Sequence, residues 1–145
     1  MRTQTDYEPV HSRHRPPDAV AASAPAVVTR AVFVPRDQFA TTVITFEEQV
    51  SGWYTAVRKA RDAIKLARAY EGLLEVARTA QVIRILPFPR AAIDLYLDLK
   101  KQHPRLGKMD LAIAAIALHN NATLVTRNRQ DFEQIAGLIL EDWSA

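Results

Sequence analysis

The segment from residue 110 to residue 126 constrains the fold of this chain most strongly. Its first part, DLAIAAIALHNN, is apolar around most of a helical circumference, which predicts a helix that is buried on nearly all sides. Asn120 and Asn121 suit the left-handed backbone that ends many helices. The run ATLVT follows and is continuously apolar, as expected for a parallel strand covered on both faces. A buried helix that leads into a buried strand is typical of layered α/β proteins.

Strand and helix patterns also alternate along the rest of the chain. The runs FATTVIT, VIRILPF and GLILEDW predict three more short strands. Helical periodicity begins at Phe46 and is interrupted near residues 58–62, which predicts an antiparallel helix pair, and RAAIDLYLDLKKQ predicts another helix. This order predicts an α/β domain with a mainly parallel sheet. The stripes predicted to face inward are Val50, Trp53, Tyr54 and Val57 in the first helix of the pair, and Ile64, Ala67, Leu74 and Ala77 in the second.

The composition excludes several classes of protein. A chain of 145 residues, 48% of them hydrophobic, is long enough for one domain with a real core. It contains no cysteine, which rules out disulfides, thiolate zinc sites and cysteine nucleophiles. No apolar run has the length of a membrane span, and we expect a cytoplasmic protein. The net charge of +3 weakly favours a polyanionic partner.

The N-terminal residues differ from the rest of the chain. Residues 1–24 carry Pro9, Pro16 and Pro17 and show neither helical nor strand periodicity. We therefore expect 1–24 to be poorly ordered or atypical, and 25–145 to form the domain.

Three acidic residues stand next to the predicted strand ends. Glu48 follows FATTVIT, Asp110 begins the buried helix, and Asp131 comes shortly after ATLVT. Ligands of open α/β sheets bind outside the carboxyl ends of the strands, so we expect these three side chains at one rim. Clustered carboxylates repel one another unless a cation lies among them, and such oxygen ligands suit Mg²⁺ or Mn²⁺.

Each acid also has a purely structural interpretation. Glu48 can form a capping box with Thr45. Asp110 can be the N-cap of the buried helix, and Asp131 with Gln134 resembles another cap. On the residues alone, a generic α/β domain whose acids are all caps therefore stays open.

From about residue 34 to residue 143 the chain resembles PIN-domain ribonucleases, specifically the VapC-type toxins of bacterial toxin–antitoxin pairs. The matching stretches are TTVITFEEQVSGW, RILPF, GKMDLAIAAIALHNNATLVTRNRQDF and GLILEDWSA. The resemblance implies a PIN-like three-layer α/β/α domain with a mainly parallel central sheet. It also implies an endoribonuclease dependent on Mg²⁺ or Mn²⁺, a cognate VapB-like antitoxin and a homodimer.

The resemblance further implies roles for individual residues. Glu48, Asp110 and Asp131 match acids that bind the metal, whereas the neighbouring acid at position 47 should point away or act indirectly. Thr126 and Asn128 match polar positions that orient a carboxylate or a metal-bound water.

The helix pair and the turn after ATLVT carry the candidates for contacts with macromolecules. In the relatives the helix pair contributes to dimer contacts and to the antitoxin groove, and here it contains Trp53, Tyr54 and Tyr70, for which core packing is the alternative. Basic residues that could contact RNA, or could simply be solvated, are Arg127 and Arg129 in the turn, and Lys59, Arg61, Lys65 and Arg68 along the pair.

One part of the family pattern does not match. The family begins with a buried strand that ends in Asp-x-Asn or Asp-x-Asp, but the first residues here, MRTQTDYEPV, contain no apolar run. Asp6 is the nearest acid, and its neighbours are wrong for a buried strand end. The first strand is therefore expected to be missing or replaced. Two functional hypotheses follow: an active ribonuclease, or an impaired PIN module that binds RNA or sequesters the antitoxin.

Overall fold

The computed structural model of the chain describes residues 38, 40–126 and 128–142. The expectations for 1–24 and for Asp6 lie outside the described residues. Nine elements are described: β1 (Ala40–Thr42), α1 (Val43–Lys59), α2 (Ala63–Val82), β2 (Arg84–Leu86), α3 (Arg90–Gln102), α4 (Lys108–His119), β3 (Thr123–Val125), α5 (Arg129–Phe132) and β4 (Ile139–Glu141). The predicted α/β fold with parallel strands is confirmed.

The described strands form two parallel ladders of two strands each. Strand β1 pairs with β2, with Thr41 opposite Ile85, and β3 pairs with β4, with Leu124 opposite Leu140. Within the described residues these ladders are not hydrogen-bonded to each other. Both are parallel pairs joined through helices, as the alternation of strand and helix patterns predicts.

Helix α4 forms the centre of the core. All of its residues from Leu111 to Ala117 are buried, which confirms the prediction of a buried helix. Leu111 packs in a cluster with Leu124, whereas Ile116 packs in a second cluster with Leu86 of the other ladder. Burying one such side chain fully stabilises the fold by roughly 1.5–3 kcal/mol. Helix α4 therefore shares its apolar surface between the two ladders.

Helices α1 and α2 pack against each other as a hairpin, with residues 60–62 as the turn. Asp62 is the N-cap of α2, and its Oδ1 accepts a hydrogen bond from the backbone N–H of Lys65 at 2.8 Å. None of the helices in the described part of the chain combines the length and the hydropathy of a membrane span.

The inward face predicted for α2 is wrong. Ile64 is 82% exposed, Leu74 is 44% exposed, and the other two residues of that stripe are exposed as well. The face that packs on α1 contains Ala69 and Val76, with Gly72 between them. A Cβ atom on Gly72 would overlap the indole of Trp53, so the indole lies directly on the glycine backbone. The small residues on this face allow the two helices to approach closely. Helix α2 has two apolar faces, and periodicity alone could not show which of them packs on α1.

The stripe predicted for α1 is correct only in part. Val50, Trp53 and Val57 are half-buried, but Tyr54 is 51% exposed. The guanidinium of Arg58 lies over the Tyr54 ring, 4.4 Å from its centroid, and Nη2 donates a hydrogen bond to the phenolic oxygen at 2.6 Å. Tyr54 therefore makes its contacts on the outer surface of the hairpin.

Candidate active site

Glu48 lies in the second turn of α1, which begins immediately after β1. The N-cap of α1 is Thr42, whose Oγ1 accepts a hydrogen bond from the backbone N–H of Thr45 at 3.2 Å. The two threonine hydroxyls are 3.0 Å apart, and both residues are buried. The predicted capping box of Thr45 with Glu48 is therefore wrong, because Thr45 is already inside the helix. The predicted strand FATTVIT is also too long, since its last three residues belong to α1.

The two adjacent acids of α1 have different environments. Glu48 is half-buried, whereas Glu47 is exposed and its Oε1 accepts a hydrogen bond from the Ser51 hydroxyl at 3.0 Å. Glu47 is thus engaged on the outer surface of α1, one turn before Ser51.

Asp110 lies in the first turn of α4 and is half-buried. The N-cap of this helix is Gly107, so the prediction that Asp110 is the N-cap is wrong. The carboxylate folds back towards the start of the helix, where a Cβ on Gly107 would lie 3.6 Å from Oδ2. A carboxylate in the first turn is stabilised by the helix dipole, typically by about 0.3–1 kcal/mol at exposed positions.

A hydrogen-bonded chain connects β4 to Asp131. The backbone N–H of Thr126 donates to the carbonyl oxygen of Glu141 at 3.0 Å, which fixes the end of β3 beside β4. The buried Thr126 hydroxyl then accepts a hydrogen bond from the backbone N–H of Asn128 at 3.1 Å. The Asn128 side chain in turn donates from Nδ2 to Oδ2 of Asp131 at 2.8 Å. The structure thus brings together three of the predicted site residues, Thr126, Asn128 and Asp131.

The predicted cap formed by Asp131 and Gln134 is wrong. Helix α5 has Asn128 as its N-cap, and Asp131 lies inside it. The Gln134 amide is directed at the carbonyl oxygen of Gln130, at 3.4 Å. Because the N-caps of α1, α4 and α5 are other residues, capping does not explain the acids at 48, 110 and 131.

The donor chemistry of these acids suits a hard cation, but their arrangement alone does not complete a metal site. Carboxylate oxygens are ligands that Mg²⁺ and Mn²⁺ prefer. Within residues 38, 40–126 and 128–142, however, no group of three Asp, Glu, His or Cys side chains is placed to hold one ion. The assignment of Glu48, Asp110 and Asp131 as ligands stays a prediction.

Thr42 is the cap that sets the start of α1 and hence the position of Glu48, and this role was not predicted from the sequence. Its signal was present, because a threonine before a helical run is a preferred N-cap. The sequence offers three possible N-caps, Thr41, Thr42 and Thr45. The β-branched residues between them also resemble a continuing strand.

Comparison with known proteins identifies the family. Residues 31–138 match the PIN domain. Ribonuclease VapC1 of Haemophilus influenzae strain R2866 is 31% identical over 116 residues, which are 77% of this chain and 78% of the relative. Ribonuclease VapC2 of Rickettsia felis is 44% identical over 50 residues, which are 34% of this chain and only 37% of that relative.

Solved structures agree in fold. VapBC2 from Rickettsia felis, bound to a promoter DNA fragment, matches with a TM-score of 0.69 and 23% identity, over 90% of this chain and 98% of that chain. DNA-bound VapBC from Salmonella typhimurium matches with a TM-score of 0.72 and 19% identity, over the same shares of the two chains. Taken together with the match over residues 31–138, these similarities show that the chain belongs to the PIN-domain family, where it is similar to VapC proteins.

Proposed function

We propose that this chain is a metal-dependent endoribonuclease that hydrolyses RNA phosphodiester bonds as the toxin of a toxin–antitoxin pair. The observation that carries the proposal is the 31% identity, over 116 residues, to a relative named as a ribonuclease. The hydrogen-bonded Asp131 supports it, because a carboxylate held by Asn128 is oriented before any ligand arrives.

Glu48, Asp110 and Asp131 are the proposed ligands for Mg²⁺ or Mn²⁺, with Asn128 and Thr126 as positioning residues. Asn128 contacts Asp131 directly, and Thr126 contacts the Asn128 backbone. Each proposed ligand is half-buried rather than fully exposed, which limits its freedom of movement. The ligand assignments are tested together with the activity.

Cleavage of single-stranded RNA across a Mg²⁺ titration tests the activity. We expect cleavage that requires the ion and is abolished by EDTA, by Asp110→Asn and by Asp131→Asn. Glu48→Gln should also abolish it, whereas Glu47→Gln, the same change on the exposed neighbour, should leave it intact. Cleavage that survives the Asp110 and Glu48 substitutions would show that another site, or a contaminant, is responsible.

A second candidate function is an impaired PIN module that binds RNA or sequesters the antitoxin. It is favoured by the absence, within the described residues, of three acids placed to hold one metal ion. It predicts RNA or antitoxin binding by the wild-type chain with no cleavage at any Mg²⁺ concentration. The same titration therefore separates the two functions.

We propose a small VapB-like antitoxin as the protein partner, since the solved neighbours include VapBC toxin–antitoxin complexes. Co-expression with the product of an adjacent small gene, followed by co-purification, tests this pairing. An RNA substrate also supports a cytoplasmic location.

We propose in addition that two copies of the chain pair through α2. Its outer face carries Leu66, Tyr70 and Leu74, which are 40%, 55% and 44% exposed. The spacing of these apolar residues is symmetric about Tyr70. The two leucines lie four residues before and after it, and exposed alanines lie seven residues before and after it, at positions 63 and 77. A two-fold interface requires that a residue i contacts j and that j contacts i. Two antiparallel copies of α2 centred on Tyr70 would satisfy that condition.

A further inference from the structure

The hairpin of α1 and α2 has an apolar pocket close to its turn. The pocket has a volume of about 230 Å³, and its apolar lining consists of Trp53, Ala56, Ala60 and Ala69. The indole of Trp53 lies directly against the backbone of Gly72, which has no Cβ to displace it. The pocket therefore has an aromatic residue in its wall, and the contact with Gly72 restricts the orientation of that residue.

Three basic residues, Lys59, Lys65 and Arg68, complete the lining of this pocket, and all three are exposed. Between residues 58 and 68 the chain also carries Arg58 and Arg61, and Asp62 is the single acid in that range. Asp62 already accepts the capping hydrogen bond at the start of α2, and its ion pair with Lys65 is long, at 3.8 Å. We call residues 53–69 the hairpin tip; it is strongly cationic around an apolar centre.

We infer that the hairpin tip is a contact site for single-stranded RNA, separate from the proposed cleavage site. One unpaired base would stack on Trp53 in the pocket, and the flanking phosphates would contact Lys59, Lys65 and Arg68. The inference rests on the proposed function, because the bound strand would be the substrate.

The chemistry of the pocket favours RNA over an acidic protein segment. Every nucleotide carries both a flat ring and an anionic phosphate, and proteins that bind single strands combine aromatic platforms with cationic grooves. An acidic peptide provides the charge, but it needs an aromatic residue in one particular place to fill the pocket.

The position of the tip also connects it to the proposed cleavage site. Helix α1 carries Glu48 near one end and Lys59 at the other, eleven residues later. At 1.5 Å per residue, they are separated by roughly 16 Å along the helix axis. A strand bound at both places would follow the hairpin, so the tip would favour long substrates over short ones.

The test measures RNA binding by the full chain in a non-cleaving Asp110→Asn background, with a fluorescein-labelled single-stranded oligoribonucleotide at several KCl concentrations. Lys65→Gln combined with Arg68→Gln should weaken binding at least tenfold. Because single-strand binding falls with a slope of about −0.7 per phosphate contact, the slope of log K against log salt should become shallower by about 1.4. The matched control is Lys100→Gln combined with Lys101→Gln, which removes the same charge from exposed residues of α3.

Trp53 provides an independent readout. The chain has two tryptophans, Trp53 and Trp143, so a Trp143→Phe variant reports on the pocket alone. RNA should quench Trp53 fluorescence, Trp53→Leu should weaken binding, and Trp53→Phe should restore most of it. If Trp53→Leu fails to fold, the quenching experiment still decides the question.

The inference is overturned if the tip variant binds RNA as the α3 control does, or if RNA leaves Trp53 fluorescence unchanged. It is also overturned if poly-glutamate quenches Trp53 at lower concentrations than RNA does, because the pocket would then prefer an acidic protein segment. If the wild-type chain binds RNA at the tip but cleaves none, the proposed ribonuclease activity is excluded and the RNA contact at the tip stands. If the tip variants cleave RNA as well as the wild type does, the ribonuclease activity stands and the RNA contact at the tip is excluded.

Discussion

Asn128 holds Asp131 through a hydrogen bond of 2.8 Å from Nδ2 to Oδ2. The Asn128 backbone is itself held by the buried hydroxyl of Thr126, at the end of the paired strands β3 and β4. The carboxylate of Asp131 is thus tied to the sheet, although it lies in a helix of only four residues.

Replacing Asn128 by Ala should therefore impair activity more than stability. Loss of a residue that orients a metal ligand typically lowers activity by about 10–100-fold. The hydrogen bond itself is exposed, so we expect the free energy of unfolding to fall by no more than about 1 kcal/mol. Steady-state cleavage of RNA and urea denaturation measure the two effects. A variant with normal kcat would show that Asn128 has no role in the proposed site.

The start of α1 depends on Thr42. Thr42→Ala should reduce the free energy of unfolding by about 0.5–2 kcal/mol, because it removes the N-cap and a partner of the buried Thr45 hydroxyl. Thr42→Ser keeps the oxygen and should retain most of the stability. Thr55→Ala, at an exposed position in the same helix, is the control and should change little. Equal stability of the Thr42 and Thr55 variants would contradict the assigned cap.

Two glycines in the hairpin should respond in opposite directions to the same substitution. Gly72→Ala should destabilise the protein by about 1–3 kcal/mol, because the new methyl group overlaps the Trp53 indole. Gly52→Ala meets nothing within 4 Å and should stabilise by about 0.5–1 kcal/mol, the usual gain from replacing a helical glycine. Thermal unfolding compares the pair. If Gly72→Ala proved neutral, the close contact with Trp53 would be wrong.

Tyr70→Glu should convert a dimer into a folded monomer. In two antiparallel copies of α2 it would place two like charges at the symmetry axis, in an otherwise apolar interface. Light scattering measures the mass, and circular dichroism checks the fold. Leu97→Glu is the matched control, because Leu97 is a 47% exposed apolar residue on α3. A wild-type chain that is already monomeric, or a Tyr70→Glu variant that stays dimeric, would exclude this interface.

Divalent ions should stabilise the wild-type chain. A ligand that binds only the folded state, at 100 times its Kd, adds about 2.7 kcal/mol to the free energy of unfolding. We expect Mg²⁺ to raise the Tm of wild type but not of Asp110→Asn, with KCl of equal ionic strength as the reference. Comparing each variant with and without Mg²⁺ removes the separate effect of losing a charge from the first turn of α4. Equal Tm shifts in both proteins would exclude Asp110 as a ligand.

Local sequence determined several features of this protein without help from the fold. Helix α3 spans the predicted residues from Arg90 to Gln102, because its amphipathic period is regular and Pro89 precedes it. Helix α4 is buried as its uniform apolarity predicts, and Asn121 after it has a φ of +50°. Local patterns were sufficient here because each depends only on residues within a few turns of one another.

Other features were decided only by tertiary structure. Which face of α2 packs on α1 depended on the fit between Gly72 and Trp53, although α2 has a second apolar face that is exposed. The residues Val43–Thr45 favour a strand locally, but Thr42 starts a helix that packs against α2 and α4. The support of Asp131 by Asn128 and Thr126 depends on the pairing of β3 with β4. These outcomes depend on contacts between segments distant in sequence, and the free energy of those contacts exceeds that of local preference.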